Sequence, residues 1–363
     1  MKAHKVPATY YSGWNAIGFK HSFYMFYTND LRSKGILKSY RNVDVITNEH
    51  SYFMEEDFYY IDLSIKGISF KLKKEISDFL CERAYKIQCI DTLSESDVAP
   101  TIVLDDYDKV MTYIDDIDMW IIENSNGQKI KPSEFLEDLN NYIFQKVGVI
   151  IEEDYFANYL EDMWNSITKS ILDNIVAKKT GDNIVLDRRM DLLEFFVIQY
   201  LRMDTQIKPK IEKVLAMTES VFIDMGADAT TITSSKENGL LSYEPYFFGP
   251  LLDAARGDKR RLIQRISNID SNYEIDVLST KSKEFLTSTN PCVFSKIIHG
   301  DIVEMLFPIT RQMCIRFRKK TDNPIPGKYL ELTDQEVSRI NACVIATADD
   351  IVISSLENIS DLL

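Results

Sequence analysis

The chain has few histidines, no closely spaced cysteines and no Gly-rich phosphate loop. Its four histidines, His4, His21, His50 and His299, lack the short spacing of a histidine metal site, so no metal site is expected. The five cysteines contain no Cys-x-x-Cys pair, which favours reduced thiols in a cytoplasmic protein over disulfides or zinc. A Gly-x-Ser-x-Gly elbow and zinc-finger spacing are also missing, so no motif identifies a reaction or a cofactor.

Positive charge and long apolar runs are scarce too. Lys and Arg number 42 against 56 for Asp and Glu, which gives a formal net charge of -14. Loose nucleic-acid binding depends on clustered cations that neutralise phosphates, so we expect at most weak, salt-dependent binding of that kind. No apolar run approaches the roughly 18 residues of a membrane span, so no membrane partner is expected, whereas a protein partner stays open.

The sequence does contain the material for a core. Of its 363 residues, 45% are hydrophobic and 11% aromatic, enough for one large domain or two lobes. Strand-like alternation occurs at residues 22–27, 58–63 and 120–124, and the turn residues Asn124 to Gln128 predict a hairpin that continues at Ile130. Helical spacing over residues 73–89 makes this first third mixed rather than purely β.

From Pro132 onwards the hydrophobic period becomes helical. Helices are predicted from Ser133, which would cap the first one, over residues 153–178 and 188–205, and from Pro209 to Gly226. Four helices joined by short polar loops predict a helical lobe.

Strand patterns return in the last third. A basic helix is predicted over residues 254–267, followed by strands at 273–278, 285–288, 291–294 and 311–317. Thr333 and Glu336 have the spacing of a capping box that opens the last helix.

We therefore predict an α+β fold, in which a mixed sheet is built from amino- and carboxyl-terminal segments and a helical lobe is inserted between them. The expected segments are a strand-rich 1–130, the helical lobe 131–227, and 228–363 with a loop, the basic helix, strands and a closing helix. Residues 1–130 and 266–363 are expected to pack together, because two half-sheets with exposed edges would each be prone to aggregation.

Four short polar-aromatic signatures are scattered along the chain. They are His4-Lys5-Val6-Pro7-Ala8-Thr9-Tyr10, Gln199-Tyr200-Leu201-Arg202, Thr287-Ser288-Thr289-Asn290-Pro291 and Leu306-Phe307-Pro308. In this order they resemble the landmarks of a large, mostly prokaryotic family known as domain of unknown function 4238. The resemblance extends from His4 to about Ser354 and implies that residues 337–354 form a closing helix. It implies no mechanism, because function resides in sites rather than in folds.

Polar residues inside these apolar segments form the candidate site, since buried polar groups cost free energy unless they pair or bind something. His4 is the candidate acid or base because of its near-neutral pKa, Arg202 the candidate phosphate or carboxylate holder, and Asn290 a third catalytic candidate. Candidate ligand-binding residues are Gln199, Ser288, Arg316 and Arg318.

Two basic clusters stand out against the acidic background. The first is the candidate nucleic-acid patch, which consists of Arg256, Lys259, Arg260, Arg261 and Arg265. The second lies at a strand end and consists of Arg316, Arg318, Lys319 and Lys320. If the clusters meet in the fold they would attract phosphates, and if not each is an exposed positive element that balances nearby acids.

Two classes of function remain open, and the sequence does not decide whether the protein is an enzyme. One is a non-catalytic binding or sensing protein, or a phage-defence component, in which the polar residues form a network that fixes the structure. The alternative is a metal-dependent or acid/base hydrolase that acts on a phosphodiester, with His4 and Arg202 in its site. The family usually has Asp where this chain has Thr289, which favours the binding protein.

Overall fold

The computed structural model describes residues 2–4, 8–16, 23–28, 31, 40–42, 54–56, 71–94, 99–202, 216–221, 223–226, 228, 231, 244–298, 301–349 and 351–363. Within these ranges, the side chains of 2–4, 8–9, 40–42, 54–56 and 244–248 are not described. His21, His50, His299, the strand predicted at 58–63 and most of the segment 203–243 lie outside the described residues.

Strands and helices alternate along the chain without a repeat. The strands are β1 Lys2–His4, β2 Phe23–Tyr27, β3 Tyr40–Asn42, β4 Met54–Glu56, β5 Lys86–Ile90, β6 Thr101–Val103, β7 Ile121–Glu123, β8 Lys129–Ile130, β9 Tyr273–Ser279, β10 Thr287–Ser288, β11 Val293–Ile298, β12 Asp301–Thr310, β13 Met313–Lys319, β14 Tyr329–Glu331 and β15 Ile351–Ser354. The helices are α1 Ala8–Tyr11, α2 Lys73–Arg83, α3 Tyr107–Thr112, α4 Pro132–Gly148, α5 Glu161–Ile175, α6 Arg189–Leu201, α7 Glu244–Ala255, α8 Arg260–Asn272 and α9 Asp334–Thr347. A π-helical segment, Val149–Leu160, lies between α4 and α5, and short 3-10 turns occur at Ser12–Trp14, Ile114–Met119 and Ser360–Leu362.

The chain divides into two compact units. Unit 1 contains Asp57–Ile151 and Lys208–Arg256, and unit 2 contains Lys2–Glu56, Glu152–Ile207 and Gly257–Leu363. The segment boundaries expected from the sequence, at 130 and 227, stay a prediction.

Unit 1 packs helices on a small antiparallel sheet with the strand order β6-β5-β7-β8. Ile87 of β5 pairs with Ile122 of β7, and both side chains are buried, as the alternation along a half-buried strand requires. Phe79 of α2 contacts the rings of Phe135 and Tyr142 of α4, with centroids 5.6 and 5.4 Å apart. These rings form much of the core of unit 1.

Unit 2 contains a five-stranded sheet with the order β11-β12-β13-β9-β14, in which β14 alone is parallel to its neighbour. A second sheet has the order β10-β15-β2-β3, and β1 pairs with β4. Met25 of β2 is paired with Ile353 of β15, so strands from the two ends of the chain share one sheet. The predicted α+β fold, with a sheet built from both ends and helices inserted between them, is confirmed.

Helix α9 covers part of the core of unit 2. Its Val337 and Val344 are buried together with Phe285, Leu306 and Val352. The predicted capping box opens this helix, because the Thr333 hydroxyl accepts from the Glu336 backbone N–H while the Glu336 carboxylate accepts from the Thr333 N–H at 2.8 Å.

Three helix predictions were wrong in their limits. The helix predicted over 73–89 ends at Arg83, because Ala84 adopts a left-handed conformation and the alternating strand β5 follows. Ser133 does not cap α4, which begins at Pro132 without a side-chain cap. The basic helix predicted over 254–267 is two helices, α7 and α8, separated by a turn in which Gly257 has a φ of 88°.

Two further segments differ from expectation. Residues 337–354 do not form one closing helix, since α9 ends at Thr347 and β15 follows. Ile351, Val352 and Ile353 of β15 are β-branched and fully buried, which suits a central strand. The sequence also did not predict strand β12, which is ten residues long and lies between β11 and β13 in its sheet. No helix in the described part of the chain is long and apolar enough to cross a membrane.

Candidate functional site

Three of the four sequence signatures meet at the hydroxyl of Tyr10. This side chain is fully buried, and its hydroxyl donates to the Pro308 carbonyl and lies 2.8 Å from the Thr287 hydroxyl. The single phenolic proton is used on Pro308, so Thr287 donates to Tyr10. Burial strongly raises the pKa of Tyr10, which therefore stays neutral. The hydrogen bonds of the Tyr10 hydroxyl therefore connect segments of unit 2 that are far apart in the sequence.

Aromatic side chains surround the same tyrosine. The Tyr10 ring lies 5.4 Å from the ring of Trp164 and 5.6 Å from that of Phe307, and Trp164 stacks on Phe195 at 4.3 Å. Trp14, a little further along, donates its indole N–H to the Phe285 carbonyl at 2.7 Å. Tyr10 of the first signature and Phe307 of the fourth thus pack in the core of unit 2.

The polar side chains of the second signature are buried at the end of α6. Arg202 has a side chain only 1% exposed, and its guanidinium donates to the Glu152 carboxylate at 3.2 Å and lies 4.0 Å from the centre of the Phe156 ring. Gln199, one turn earlier, is 1% exposed, and neither of its amide atoms has a hydrogen-bond partner among the described residues. The predicted phosphate holder is therefore held in an internal ion pair.

The third signature is a buried polar turn. The Ser288 hydroxyl donates to the Asn290 carbonyl at 2.8 Å and accepts from the Asn290 N–H at 3.1 Å. The Asn290 side-chain amide donates to the carboxylate of Asp349, and Thr289 is 2% exposed. His4 lies in β1 opposite Met54, and its side chain is outside the described part. The catalytic roles of His4, Arg202 and Asn290 stay predictions.

The two candidate ligand-binding arginines share one buried carboxylate. Asp276 of β9 is fully buried and accepts from Arg316 at 2.8 and 2.9 Å and from Arg318 at 3.4 Å. Its second oxygen accepts from the Lys328 backbone N–H at 2.8 Å. Because a buried carboxylate needs such partners, these arginines stabilise the sheet of unit 2.

The predicted nucleic-acid patch is divided between the units. Arg256 belongs to unit 1, where it donates to the Glu75 carboxylate, and Lys259 of unit 2 donates to Glu194 at 2.7 Å. Arg260, 88% exposed, pairs with Asp258. Arg261 and Arg265 both lie in α8. Weak nucleic-acid binding by these residues stays a prediction.

Lys259 joins a small buried network in unit 2. Glu194 also accepts from the hydroxyls of Tyr155 and Tyr159, at 3.0 and 3.3 Å, and the Lys259 ammonium lies 4.1 Å from the centre of the Tyr159 ring. Burial alone would lower the pKa of Lys259, but the hydrogen bonds with Glu194 and Tyr159 raise it overall. Lys259 therefore stays charged and is committed to this network.

A pocket in unit 2 has a volume of about 460 Å³, within the roughly 300–1,000 Å³ of ligand pockets. Helix α6 contributes Phe196, Val197 and Tyr200, and α8 contributes Arg265, Asn268, Ile269 and Asn272. The strands contribute Tyr273, Ile302, Met305 and Lys319. The pocket lining thus combines apolar side chains with polar and positively charged ones.

The pocket lining includes two cationic side chains, Arg265 and Lys319. The pKa of Lys319 is raised because its ammonium donates to Asp301 at 2.9 Å, so it keeps its charge. Burial raises the pKa of Tyr200, while the nearby charge of Arg265 partly opposes the shift. Burial likewise raises the pKa of Tyr273, whose hydroxyl donates to the Ile302 carbonyl at 2.7 Å. Both tyrosines are therefore neutral.

Three residues of this pocket were named from the sequence, Arg265 and Lys319 in the two basic clusters and Tyr200 in the second signature, but the pocket itself was not predicted. Arg265 was assigned to the basic patch, and Tyr200 belongs to the second signature without having been given a role. A usable signal was present: Arg265, Asn268, Ile269 and Asn272 have the i, i+3, i+4, i+7 spacing of one helix face. Considering only the charged residues of α8 leaves out the asparagines and Ile269 on this face.

Comparison with known proteins gives a family but no activity. The model of a family described as "Protein of unknown function (DUF4238)" matches residues 148–358, a range that contains the second, third and fourth signatures. No curated protein and no solved structure matches the chain. Among the described residues, no three His, Cys, Asp or Glu side chains form a group that could hold a metal ion.

Proposed function

The chain belongs to the DUF4238 family, whose description gives no activity, and we propose from its own geometry that it is a non-catalytic binding or sensing protein for a small anionic ligand. The ligand site is the pocket between α6 and α8 in unit 2. A defence component would use the same site, with ligand binding as its signal.

The observation that carries the proposal is a pocket lining that combines two cations with apolar side chains. Arg265 and Lys319 both line the pocket, and its lining also includes Phe196 and Met305, both buried. A guanidinium presents a planar fork that fits a phosphate or a carboxylate, and an ammonium adds a second charge. Apolar surroundings strengthen such interactions, because the local dielectric constant is lower than in water.

The chemistry of the lining favours binding over hydrolysis. Among the described residues that line the pocket there is no carboxylate, imidazole, thiol or aliphatic hydroxyl. Its titratable groups are cations and tyrosines, and the pKa values of Tyr200, Tyr273 and Lys319 are all raised. A general base that works near neutral pH needs a pKa close to that pH, which these groups do not offer.

We further propose that the protein acts in the cytoplasm. The described structure has all five cysteines as free thiols, and Cys292 and Cys314 are buried. Burial raises the pKa of both thiols, so they remain in the unreactive protonated form. A reducing compartment suits such a protein.

Calorimetric titration with ribose 5-phosphate and with inorganic phosphate tests the function. Arg265→Ala should weaken binding of ribose 5-phosphate by about tenfold or more, the effect of one lost charge-assisted hydrogen bond. Arg260→Ala is the matched control, since Arg260 is on the same helix but 88% exposed and outside the lining. Phosphorus NMR of the same mixtures should show the probe intact.

Three results would overturn the proposal. The first is that neither probe binds at millimolar concentration, and the second is that the Arg265 and Arg260 variants lose binding equally. The third is that the wild-type protein releases phosphate from ribose 5-phosphate and the Arg265 variant does not.

A further inference from the structure

Several apolar and aromatic side chains of the pocket lining are only half-buried. They are Tyr200 of α6, Ile269 of α8, Tyr273 of β9 and Ile302 of β12. Phe196, by contrast, is fully buried and has no accessible surface left for a ligand to cover. Covering a half-buried apolar side chain removes more of it from water, which is favourable in proportion to the area covered. The lining therefore favours a ligand with an apolar part.

Three neutral polar side chains of the lining already take part in hydrogen bonds within the protein. The Asn272 side-chain N–H₂ donates to the Asn268 carbonyl at 2.8 Å and to the Asn268 side-chain oxygen at 2.6 Å. The Tyr273 hydroxyl donates to the Ile302 carbonyl at 2.7 Å. A ligand hydroxyl would have to compete with these bonds, and a polar group covered without a partner costs free energy. This favours an apolar group over a sugar beside the charge.

The ring of Tyr200 is held by two other rings. It is stacked on Phe196, with centroids 6.4 Å apart and planes at 23°, and it meets Phe294 nearly at a right angle at 5.6 Å. A surface that is ordered before binding loses little conformational entropy when a ligand packs on it. Contacts between aromatic rings also contribute more than their buried area alone. An aromatic group therefore suits this lining better than a flexible chain.

The two cations lie beside the half-buried apolar side chains. Arg265 is one turn before Ile269 on α8, so the two share a face of the helix. Lys319 is directly opposite Tyr273 in the sheet, so these two share a face of the sheet. The pocket of about 460 Å³ is larger than a bare phosphate or carboxylate needs. An anionic group and a ring joined to it can therefore occupy the pocket together.

We propose, resting on the anion-binding function above, that the ligand is an aromatic anion, in which a planar ring is joined directly to a phosphate or a carboxylate group. The ring packs against Tyr200, Ile269 and Ile302, and the charges of Arg265 and Lys319 attract the anionic group. Because these charges attract any small anion, the ring decides which anion is bound.

Calorimetric titration of the full chain with two matched pairs of probes tests the role of the ring. The pairs are phenyl phosphate with methyl phosphate, and benzoate with acetate. The members of a pair have the same anionic group and differ in the ring. In at least one pair the aromatic member should bind tenfold or more tightly than its ring-free counterpart. The pair that shows this difference identifies the anionic group.

A pair of variants tests where the ring binds. Ile269→Ala should weaken binding of the favoured aromatic probe by about fivefold, because it removes part of the apolar contact, and should weaken its ring-free counterpart far less. Ile263→Ala is the matched control, since Ile263 is on the same helix, 51% exposed and outside the lining. It should change neither affinity. The comparison of the probe pairs depends on neither variant.

Failure of the aromatic ligand is distinguishable from failure of the anion-binding function. Equal affinities within both pairs, or tighter binding of ribose 5-phosphate than of either aromatic probe, would overturn the aromatic ligand while the anion site stands. Equal effects of Ile269→Ala and Ile263→Ala on the aromatic probe would have the same meaning. Absence of binding by every probe, ribose 5-phosphate and inorganic phosphate included, would overturn the function and the aromatic ligand together.

Discussion

Replacing Arg202 with Met distinguishes a structural from a catalytic arginine. The substitution keeps most of the aliphatic volume of the side chain and removes the charge. In the folded protein the guanidinium is 1% exposed, the paired Glu152 carboxylate is 12% exposed, and the Phe156 ring lies 4.0 Å from the guanidinium carbon. The variant would therefore leave Glu152 as a nearly buried carboxylate without this partner.

The size of the effect follows from that burial. Breaking a buried ion pair by removing one partner costs about 3–5 kcal/mol, and the ring contact adds to the loss. We expect urea unfolding followed by circular dichroism to show a free energy of unfolding lower by that amount, with an unchanged m-value. Adding Glu152→Gln should restore part of the stability, because the unpaired charge is then removed.

Arg188→Met is the matched control for this experiment. Arg188 precedes the same helix and pairs with Asp191 at 2.6 Å, but its side chain is 41% exposed. An exposed pair contributes only about 0–1 kcal/mol, so this variant should be nearly as stable as the wild type. If Arg202→Met is as stable as Arg188→Met, the internal role of Arg202 is refuted and a functional role becomes the better interpretation.

Two further predictions concern unit 2. Asp276→Asn should lower the free energy of unfolding by about 3–5 kcal/mol, because it leaves two arginines beside a buried neutral amide. The control Asp301→Asn, at an exposed position, should lower it by less than about 1 kcal/mol. Equal urea midpoints for the two variants would contradict this prediction. The pKa of Glu336 is lowered because the backbone N–H and the hydroxyl of Thr333 donate to its carboxylate. Because the pKa is lowered in the folded state, this stabilisation is present above the unfolded value of about 4.3 and is lost as the pH falls through the folded pKa. The Tm difference between the wild type and Glu336→Gln should therefore be larger at pH 7 than at pH 3. Equal Tm differences at the two pH values would contradict this prediction.

Features determined by local chemistry could be predicted from the sequence. The capping box at Thr333 and the hairpin around Gly127 depend on residues within a few positions of each other, and both were found. Gly127 has a φ of 77°, the conformation that a turn glycine supplies. The α+β class followed from the change of hydrophobic period along the chain.

Features determined by distant partners could not be predicted. The run Ile351 to Ile353 is buried on both faces, and a short apolar run of this kind has no period that separates strand from helix. Arg316 and Arg318 looked like available cations because their partner, Asp276, lies 40 and 42 residues away in the sequence. Charge counted along a chain does not reveal which charges are paired in the fold.

The second signature shows why a motif has to be interpreted one residue at a time. Gln199, Leu201 and Arg202 are each at most 4% exposed, whereas Tyr200 is half-buried and lines the pocket. On a helix, adjacent residues point about 100° apart, so four consecutive positions cannot all serve one site. The polar residues that drew attention to this motif hold the end of α6 in the interior. The aromatic residue between them faces the pocket, and the binding proposal depends on that side of the helix.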